Sequence, residues 1–205
     1  MANRAFVVVA LAWTSAFGWG QSLTLSEPGA GPNSVAQMVA DAVRMAVGAE
    51  VGFVAAGFFV SGSLEGPPSA EKLNKLLAYP GEEIYVLSLT GDQITKALER
   101  SLSLLPQSSR AFLQVSGIKV EYSMKAAANS RVKRVLVDGK PLEPARSYRV
   151  AVPATLARGA LGYFTVWQRE QISEQTGTTV ETAVRRLLGG KSSWPLGEQD
   201  RIVGD

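Results

Sequence analysis

The chain has 205 residues, 46% of them hydrophobic, which is enough to bury one substantial core. It contains neither Cys nor His, which excludes disulfides, thiol nucleophiles, Ser-His-Asp triads and metal sites built on thiolate or imidazole. A net charge of +3, with no run of Lys or Arg longer than two, lacks the basic stripe of a nucleic-acid-binding protein.

The N-terminus carries the pattern of a secretory signal peptide. Arg4 supplies the positive region, and residues 5–16 form an apolar segment that is too short to span a bilayer as a helix. Small residues follow, so we expect residues 1–20 to be a signal peptide that is cleaved after Gly18 or Gly20. The pattern predicts an exported chain (periplasmic, cell envelope or extracellular) with no membrane span after cleavage. An uncleaved anchor or a buried first strand is the alternative.

The first part of the mature chain is predicted to be a linker followed by helices and strands. Residues 21–32 are rich in Ser, Gly and Pro and indicate a linker. Asn33 and Ser34 are suitable helix N-caps, and apolar residues then recur at helical spacing. The elements predicted here are a helix over 34–47, strands over 50–54 and 58–60, and a helix near 70–78 that begins after Ser69.

The second part alternates between the two kinds of element. A strand over 84–89 leads into Thr90, which introduces a helix, and Asp138-Gly139 is a hairpin signal between two β-rich segments. The other predicted elements are alternating strands over 113–122 around Gly117, hairpin strands over 132–137 and 141–142, a strand over 148–152, a loop over 159–162, an extended segment over 166–172, and a helix up to 188 capped by Thr178 or Thr179. This order predicts a single α/β domain of mixed type over residues 33–205.

Several short segments along this domain stand out. They are Asn33 with Val39-Ala-Asp-Ala42, Ser88-Leu-Thr-Gly91 with Ala97-Leu-Glu99, Phe112-Leu-Gln-Val-Ser-Gly117, Val137-Asp-Gly-Lys-Pro-Leu142 with Tyr148, and Asp200-Arg-Ile202. In this order they resemble motifs of the C-terminal domain of the 5'-nucleotidase family, and the strand F-L-Q-V-S-G matches almost letter for letter. The resemblance implies the fold of that domain, with helices layered on mixed sheets.

The resemblance also implies that the chain has no catalytic apparatus of its own. In the family the metal ions and the catalytic His-Asp pair belong to a separate N-terminal metallophosphatase domain, while the C-terminal domain holds the nucleoside. A two-metal phosphatase site needs several imidazole and carboxylate ligands, and this chain contains no His. We therefore expect no catalytic residue, no metal site and no cofactor, and hydrolysis of phosphoric esters only when another chain completes the enzyme.

The nucleoside-binding positions that the resemblance implies are largely changed. Where the family has N-A-G-G-I-R, this chain has Ala55 at the Asn and Val60 at the Arg. Where the family has G-G-D-G-Y, Leu161 replaces the Asp, while Gly159 and Tyr163 remain. The backbone of the pocket is thus kept while the side chains that orient a nucleoside are lost.

The loop that carries the base-stacking aromatic of the family is altered as well. Where the family has L-P-F-G-N-T, Pro80 stands at the aromatic and Glu82 at the Asn, although Tyr79 could stack on a base if the backbone shifted by one residue. The alternatives are that the tyrosines are half-buried core residues and that Glu82 faces solvent. The ligand-binding positions predicted in this degenerate pocket are Tyr79, Gly81, Glu82, Gly159 and Tyr163.

Three classes of function fit these observations. The first is an exported, non-catalytic binding or interaction module for a nucleoside-like or other small ligand. The second is an accessory chain that docks on a separately encoded metallophosphatase and rebuilds a nucleotide hydrolase. The third is a structural protein of the cell envelope. The composition and motifs point to no nucleic-acid partner.

Overall fold

The computed structural model describes residues 22–205, so the predicted signal peptide over residues 1–20 lies outside the described residues. The strands are β1 (Leu23–Leu25), β2 (Val51–Ala55), β3 (Gly62–Leu64), β4 (Glu83–Thr90), β5 (Leu113–Ser116), β6 (Ile118–Tyr122), β7 (Val132–Val137), β8 (Lys140–Pro141), β9 (Ser147–Pro153), β10 (Ile172–Thr179) and β11 (Ile202–Gly204). The α-helices are α1 (Ser34–Ala46), α2 (Ala70–Asn74), α3 (Gly91–Leu102), α4 (Ala154–Ala157) and α5 (Val180–Leu188). The mixed α/β class predicted from sequence is confirmed.

A five-stranded mixed sheet in the order β10-β4-β9-β2-β5 separates two cores. Successive strand residues point to opposite faces, so Val54 of β2 packs with α1 and α5 while Phe53 packs with α3 and the second sheet. That second sheet has the order β11-β6-β7-β8. Helices and a second sheet therefore cover the two faces of the large sheet, as the resemblance implied. Among residues 22–205, no helix is both long and apolar enough to cross a membrane.

The local signals for helix starts and for the hairpin are confirmed. The side chain of Asn33 accepts hydrogen bonds at the start of α1, and the side chain of Thr179 does so at the start of α5. Thr90 forms a capping box with Gln93 at the start of α3. Asp138 and Gly139 adopt the positive φ angles, 49° and 72°, that a two-residue hairpin turn needs.

The prediction of a linker over residues 21–32 is wrong for its described part. Leu23–Leu25 form β1, which pairs antiparallel with β3, and the side chain of Leu25 is fully buried. Gly29 lies against Ser109, where an added Cβ would meet the carbonyl oxygen at 2.4 Å. The segment is short of apolar residues because it runs along the surface, but its backbone belongs to the domain.

The strand predicted over 58–60 and the helix predicted over 70–78 differ from the structure for one shared reason. Residues Ala56–Phe58 form a 3-10 turn, and α2 already ends at Asn74. The chain after α2 then turns back and pairs with the chain after β2, since Val60 N donates to Leu76 O at 2.9 Å and Ala78 N donates to Phe58 O at 2.9 Å. This non-local pairing overrides both local patterns.

The segment 113–122, predicted as continuous alternation, is divided between the two sheets. β5 is an edge of the large sheet and β6 lies in the small one. Gly117 between them has φ +76°, and an added Cβ would lie 2.1 Å from Glu50 O. Glycine is therefore required for the chain to cross from one sheet to the other.

The extended segment predicted over 166–172 is also different in the structure. Trp167 N donates to Tyr163 O at 3.1 Å, a 3-10 turn follows over Arg169–Gln171, and the strand β10 begins only at Ile172. The cause is the burial of Trp167, whose Nε1 donates to Leu156 O at 3.1 Å and which holds the chain in a turn.

A buried ion pair ties the C-terminal segment to α1. The Arg201 guanidinium donates to both carboxylate oxygens of Asp41, at 2.8 and 2.7 Å, and to Val115 O at 2.9 Å. Ser116 Oγ also donates to Asp41, and it accepts from Arg44 at 2.7 Å. The Asp41 carboxylate thus has partners at both oxygens, which is what a buried charge needs.

Candidate functional site

A cavity of about 150 Å³ opens beside the end of β2. It lies between the turn after β2, the loop after α2 and the chain around α4. Its lining residues are Ala55, Gly57, Phe58, Tyr79, Glu82, Arg110, Pro153, Thr155, Leu156, Ala160 and Leu161. Most of them are apolar, and the exposed side chains among them, Tyr79, Arg110 and Thr155, mark the mouth.

The pairing of β2 with β5 brings one wall of the cavity together. Beyond the end of β2, Ala56 N donates to Phe112 O at 2.7 Å and Gly57 N donates to Arg110 O at 2.9 Å. The side chain of Arg110 lies over Gly57, where an added Cβ would be 3.1 Å from Arg110 Nε. The bare backbone at Gly57 therefore leaves space for the arginine at the mouth.

The aromatic wall consists of Phe58 and Tyr79. Phe58 is 6% exposed and Tyr79 is 57% exposed, and their ring centroids are 6.3 Å apart in a tilted arrangement. Pro80 does not line the cavity, and its carbonyl oxygen accepts from Glu181 N at 2.7 Å. The structure thus places Tyr79, and not Pro80, at the cavity, in line with the one-residue shift considered for this loop.

The other two residues predicted in this loop lie differently. Glu82 lines the cavity, and one of its carboxylate oxygens accepts a hydrogen bond from Thr155 N. Gly81 is outside the lining, and an added Cβ there would meet nothing within 4 Å. Glu82 therefore fixes the start of α4 against the loop, and the position of Gly81 faces open space.

The loop after α4 forms the third wall. Gly159 has φ +86°, and an added Cβ would be 2.8 Å from Phe164 Cα, so this glycine is needed for the turn and lies behind the lining. Leu161 itself has φ +57° and lines the cavity. The Arg100 guanidinium donates to Leu161 O from the protein side. Gly159 and Arg100 thus position Leu161 without reaching the cavity themselves.

Tyr163, predicted as a ligand-binding residue, lies in the core and not at the cavity. Its side chain is fully buried, its ring stacks on Trp167 with centroids 4.8 Å apart, and its hydroxyl donates to Ala111 O at 2.6 Å. Burial raises the pKa of the Tyr163 phenol far above its usual range, and the charge of Arg100 offsets only part of that rise. In this position the ring cannot stack on a ligand.

Arg110 is the charged lining residue that sequence reasoning missed. Within residues 22–205, no carboxylate pairs with its guanidinium and no acceptor receives its side-chain N–H groups. It precedes the F-L-Q-V-S-G segment, but only the pairing of β2 with β5 brings it beside Gly57. The sequence carries no local signal for that pairing.

A second, more open groove of about 470 Å³ lies between α2 and α5. Its charged side chains pair with one another, Lys75 with Glu71 at 2.8 Å and Arg185 with Glu181 at 2.6 Å. The described residues hold no group of three or more Asp and Glu side chains that could bind a metal ion. The cavity beside β2 is therefore the better candidate for a ligand site.

Comparisons with known proteins agree on the family. A family model described as "5'-nucleotidase, C-terminal domain" matches residues 10–169. A 5'-nucleotidase of Diplobatis ommata is 30% identical over 107 residues, which are 48% of this chain and 18% of that protein. The trifunctional nucleotide phosphoesterase protein YfkN of Bacillus subtilis is 28% identical over 169 residues, 78% of this chain and 11% of that protein.

A solved structure gives the same picture for the fold. The crystal structure of a 5'-nucleotidase precursor from Thermus thermophilus matches with a TM-score of 0.76 at 24% identity, over 89% of this chain and 38% of that one. This chain therefore spans well under half of the length of the relatives that it matches. The similarity covers the described α/β domain.

Proposed function

Because this chain belongs to the family of 5'-nucleotidase C-terminal domains, we propose that it is an exported, non-catalytic binding module whose nucleoside pocket has become a small apolar cavity. One observation carries the proposal. Ala55 and Leu161, which stand where the resemblance implies Asn and Asp, both line the cavity, and Val60, which stands at the Arg, lies outside the lining. None of the three offers a polar side chain to a nucleoside.

The size of the cavity supports the same proposal. Pockets for drug-sized ligands and cofactors typically measure about 300–1,000 Å³, and this cavity measures about 150 Å³. Each lost hydrogen bond to a neutral group costs about 1 kcal/mol and each lost charged one about twice that. Three such losses weaken binding about a hundredfold to a thousandfold. A base and ribose therefore lack both the space and the orienting groups.

The test uses the purified chain and two assays. Calorimetry with adenosine is expected to give no affinity tighter than about 1 mM. Incubation with AMP, UDP-glucose and divalent metal ions is expected to give turnover below about 1 per second, the low end of typical enzymes. Micromolar adenosine binding that Tyr79→Ala removes, or faster turnover that co-purifies with the chain, would contradict the proposal.

Export is part of the proposal and is tested separately. It rests on Arg4 and the apolar segment over 5–16, and relatives that are named snake venom 5'-nucleotidases and a 5'-nucleotidase precursor support it. Mass spectrometry of the native protein is expected to find an N-terminus between about residue 19 and residue 23. Recovery of Met1 in the exported fraction would contradict export.

A second candidate is an accessory chain that completes a nucleotide hydrolase with a separate metallophosphatase. It is favoured by three exposed large apolar side chains: Tyr79, at 57%, lines the cavity, and Val60, at 49%, and Phe164, at 59%, belong to the chain segments after β2 and after α4. Mixing the chain with a metallophosphatase domain produced alone distinguishes the two candidates. AMP hydrolysis that appears only in the mixture, and that Phe164→Ser weakens, would favour the accessory role over the binding module.

A further inference from the structure

We propose that the cavity beside β2 binds a small aromatic carboxylate about the size of benzoate, with the ring inside the cavity and the carboxylate on Arg110. This inference rests on the proposed function, because it assigns a new ligand class to a pocket that no longer binds nucleosides. The size of the cavity, its aromatic wall and the charges at its mouth support this ligand class.

The interior of the cavity fits one aromatic ring. An apolar cavity of about 150 Å³ is large enough for benzene, and the volume here is about 150 Å³. Phe58 and Tyr79 offer ring surfaces, and Pro153, Leu156 and Leu161 supply aliphatic contacts. Aromatic pairs favour tilted or offset arrangements, and Phe58 and Tyr79 already show the tilted one. A single ring can extend that arrangement.

The mouth carries one guanidinium, that of Arg110, which has no partner among residues 22–205. Arg110 has no hydrogen-bond acceptor for its side chain in the described part of the chain, although it lines the cavity. Its backbone is fixed by the hydrogen bond from Gly57 N, and the missing Cβ at Gly57 gives its side chain room. A planar guanidinium matches a carboxylate with two parallel hydrogen bonds, so an anionic group is the partner that this residue fits best.

The other charges around the cavity favour an anion over an amine. Glu82 is the carboxylate in the lining, and it is already engaged by Thr155 N. Behind Leu161 the guanidinium of Arg100 adds a second positive charge. With the two guanidinium groups of Arg110 and Arg100 against the single carboxylate of Glu82, the net charge around the cavity is positive, which favours a carboxylate ligand over an amine.

The test is a titration of the folded chain in which NMR monitors the backbone amide signals. Five probes are used: benzoate, benzyl alcohol, acetate, inorganic phosphate and adenosine. Benzoate is expected to bind with a Kd of about 1 mM or tighter and to shift the amides of Ala55, Tyr79 and Leu161. Benzyl alcohol is expected to bind at least about tenfold more weakly, because it lacks the charge. Acetate and phosphate are expected to leave those amides unshifted, because they lack the ring.

Variants assign the two halves of the ligand. Arg110→Leu is expected to weaken benzoate about tenfold without changing the affinity for benzyl alcohol. Arg186→Leu, the same change at an exposed position on α5, is the matched control and is expected to change neither. Ala160→Leu is expected to abolish binding of both by filling the cavity. A thermal melt of each variant confirms that it is folded.

Each outcome decides something. The inference would be overturned if benzyl alcohol, acetate or phosphate bound as tightly as benzoate. It would also be overturned if Arg110→Leu and Arg186→Leu weakened benzoate binding equally. If none of the five probes bound, the inference would be overturned as well, but the proposal that nucleoside binding has been lost would stand. Micromolar adenosine binding would overturn the proposed function as well, so the two failures are distinguishable.

Discussion

Two arginines show how differently the same side chain is used in this molecule. Arg201 is 5% exposed, and its guanidinium donates to Asp41, to Val115 O and to Glu198 O. Arg110 is exposed at the mouth of the cavity, and no acceptor in residues 22–205 receives its guanidinium N–H groups. The guanidinium of Arg201, whose N–H groups are taken up by protein acceptors, has a structural role, whereas the guanidinium of Arg110 beside the apolar cavity is available to a ligand.

The same contrast separates two tyrosines that sequence reasoning placed in one pocket. Tyr163 is buried with its hydroxyl bonded to Ala111 O, whereas Tyr79 is exposed at the cavity. Arg201 and Tyr163 are therefore expected to stabilise the fold, and Arg110 and Tyr79 are expected to contribute little to its stability.

The largest expected effect comes from removing Arg201. Arg201→Leu leaves the Asp41 carboxylate buried without its cation, which is expected to lower the free energy of unfolding by about 3–5 kcal/mol. Arg110→Leu, the same substitution at the mouth, is expected to change it by less than about 0.5 kcal/mol. Urea unfolding measures the free energy of unfolding of both variants. Similar losses of stability in the two would show that the buried arginine is no more important to the fold than the exposed one.

The double variant Asp41→Leu with Arg201→Met sharpens this result. Replacing a buried ion pair by apolar residues of similar size is often close to neutral. We therefore expect the double variant to regain most of the stability that Arg201→Leu loses. A double variant as unstable as the single one would show that the other contacts of Arg201, and not its charge, matter.

Tyr163→Phe has the next largest expected effect. Loss of the hydrogen bond to Ala111 O is expected to cost about 1 kcal/mol at neutral pH. The folded pKa of Tyr163 is raised, so its stabilising contribution is full below the unfolded value near pH 10 and is lost as pH rises above it. Above about pH 10, stability should fall about 1.4 kcal/mol per pH unit more steeply in the wild type than in Tyr163→Phe.

The measurement is urea unfolding at several alkaline pH values. Tyr79→Phe removes an exposed phenol and is the matched control, so it is expected to change the slope less than Tyr163→Phe does. If Tyr163→Phe also ran parallel, the phenol of Tyr163 would be solvated and would not belong to the buried framework.

Local features of this fold could be predicted from the sequence, whereas long-range contacts could not. The helix starts at Asn33, Thr90 and Thr179 and the turn at Asp138-Gly139 were predictable because each depends on residues within a few positions of one another. The motif that contains Arg201 was recognised, but its pairing with Asp41 spans 160 residues and became visible only in the structure.

The candidate site was predicted in part for the same physical reason. The loop of Tyr79 and Glu82 was found by resemblance, and both line the cavity. Tyr163 was placed there because the motif gives the position of a residue but not its side-chain direction. Arg110 was missed because strand pairing brings it to the cavity, and strand pairing leaves no local pattern in the sequence.

The smallest expected effect concerns the ion pair between Lys133 and Asp205, whose two side chains are both exposed. A hydrogen bond from Lys133, with a further one from Ser123, lowers the pKa of Asp205 to about 2. Lys133→Gln is expected to raise this pKa toward the ordinary value of about 3.9. Because the folded pKa is lowered, the pair stabilises above about pH 4 and is lost as pH falls toward 2.

Carbon-detected NMR of the Asp205 carboxyl group measures the titration. Lys125→Gln removes a more distant charge and is the matched control, so it is expected to change the pKa less than Lys133→Gln does. Equal changes in the two variants would show that general positive charge, and not the hydrogen bond from Lys133, sets the pKa of Asp205.

The ion pair between Asp41 and Arg201 also bears on the order in which the chain is made. Asp41 is synthesised 160 residues before its cation, which at about 5–20 residues per second is a delay of about 8–30 seconds. During that time α1 cannot bury Asp41 against β5 without leaving a charge uncompensated. We therefore expect a chain that ends before Arg201 to be cleaved by a protease faster than the full chain.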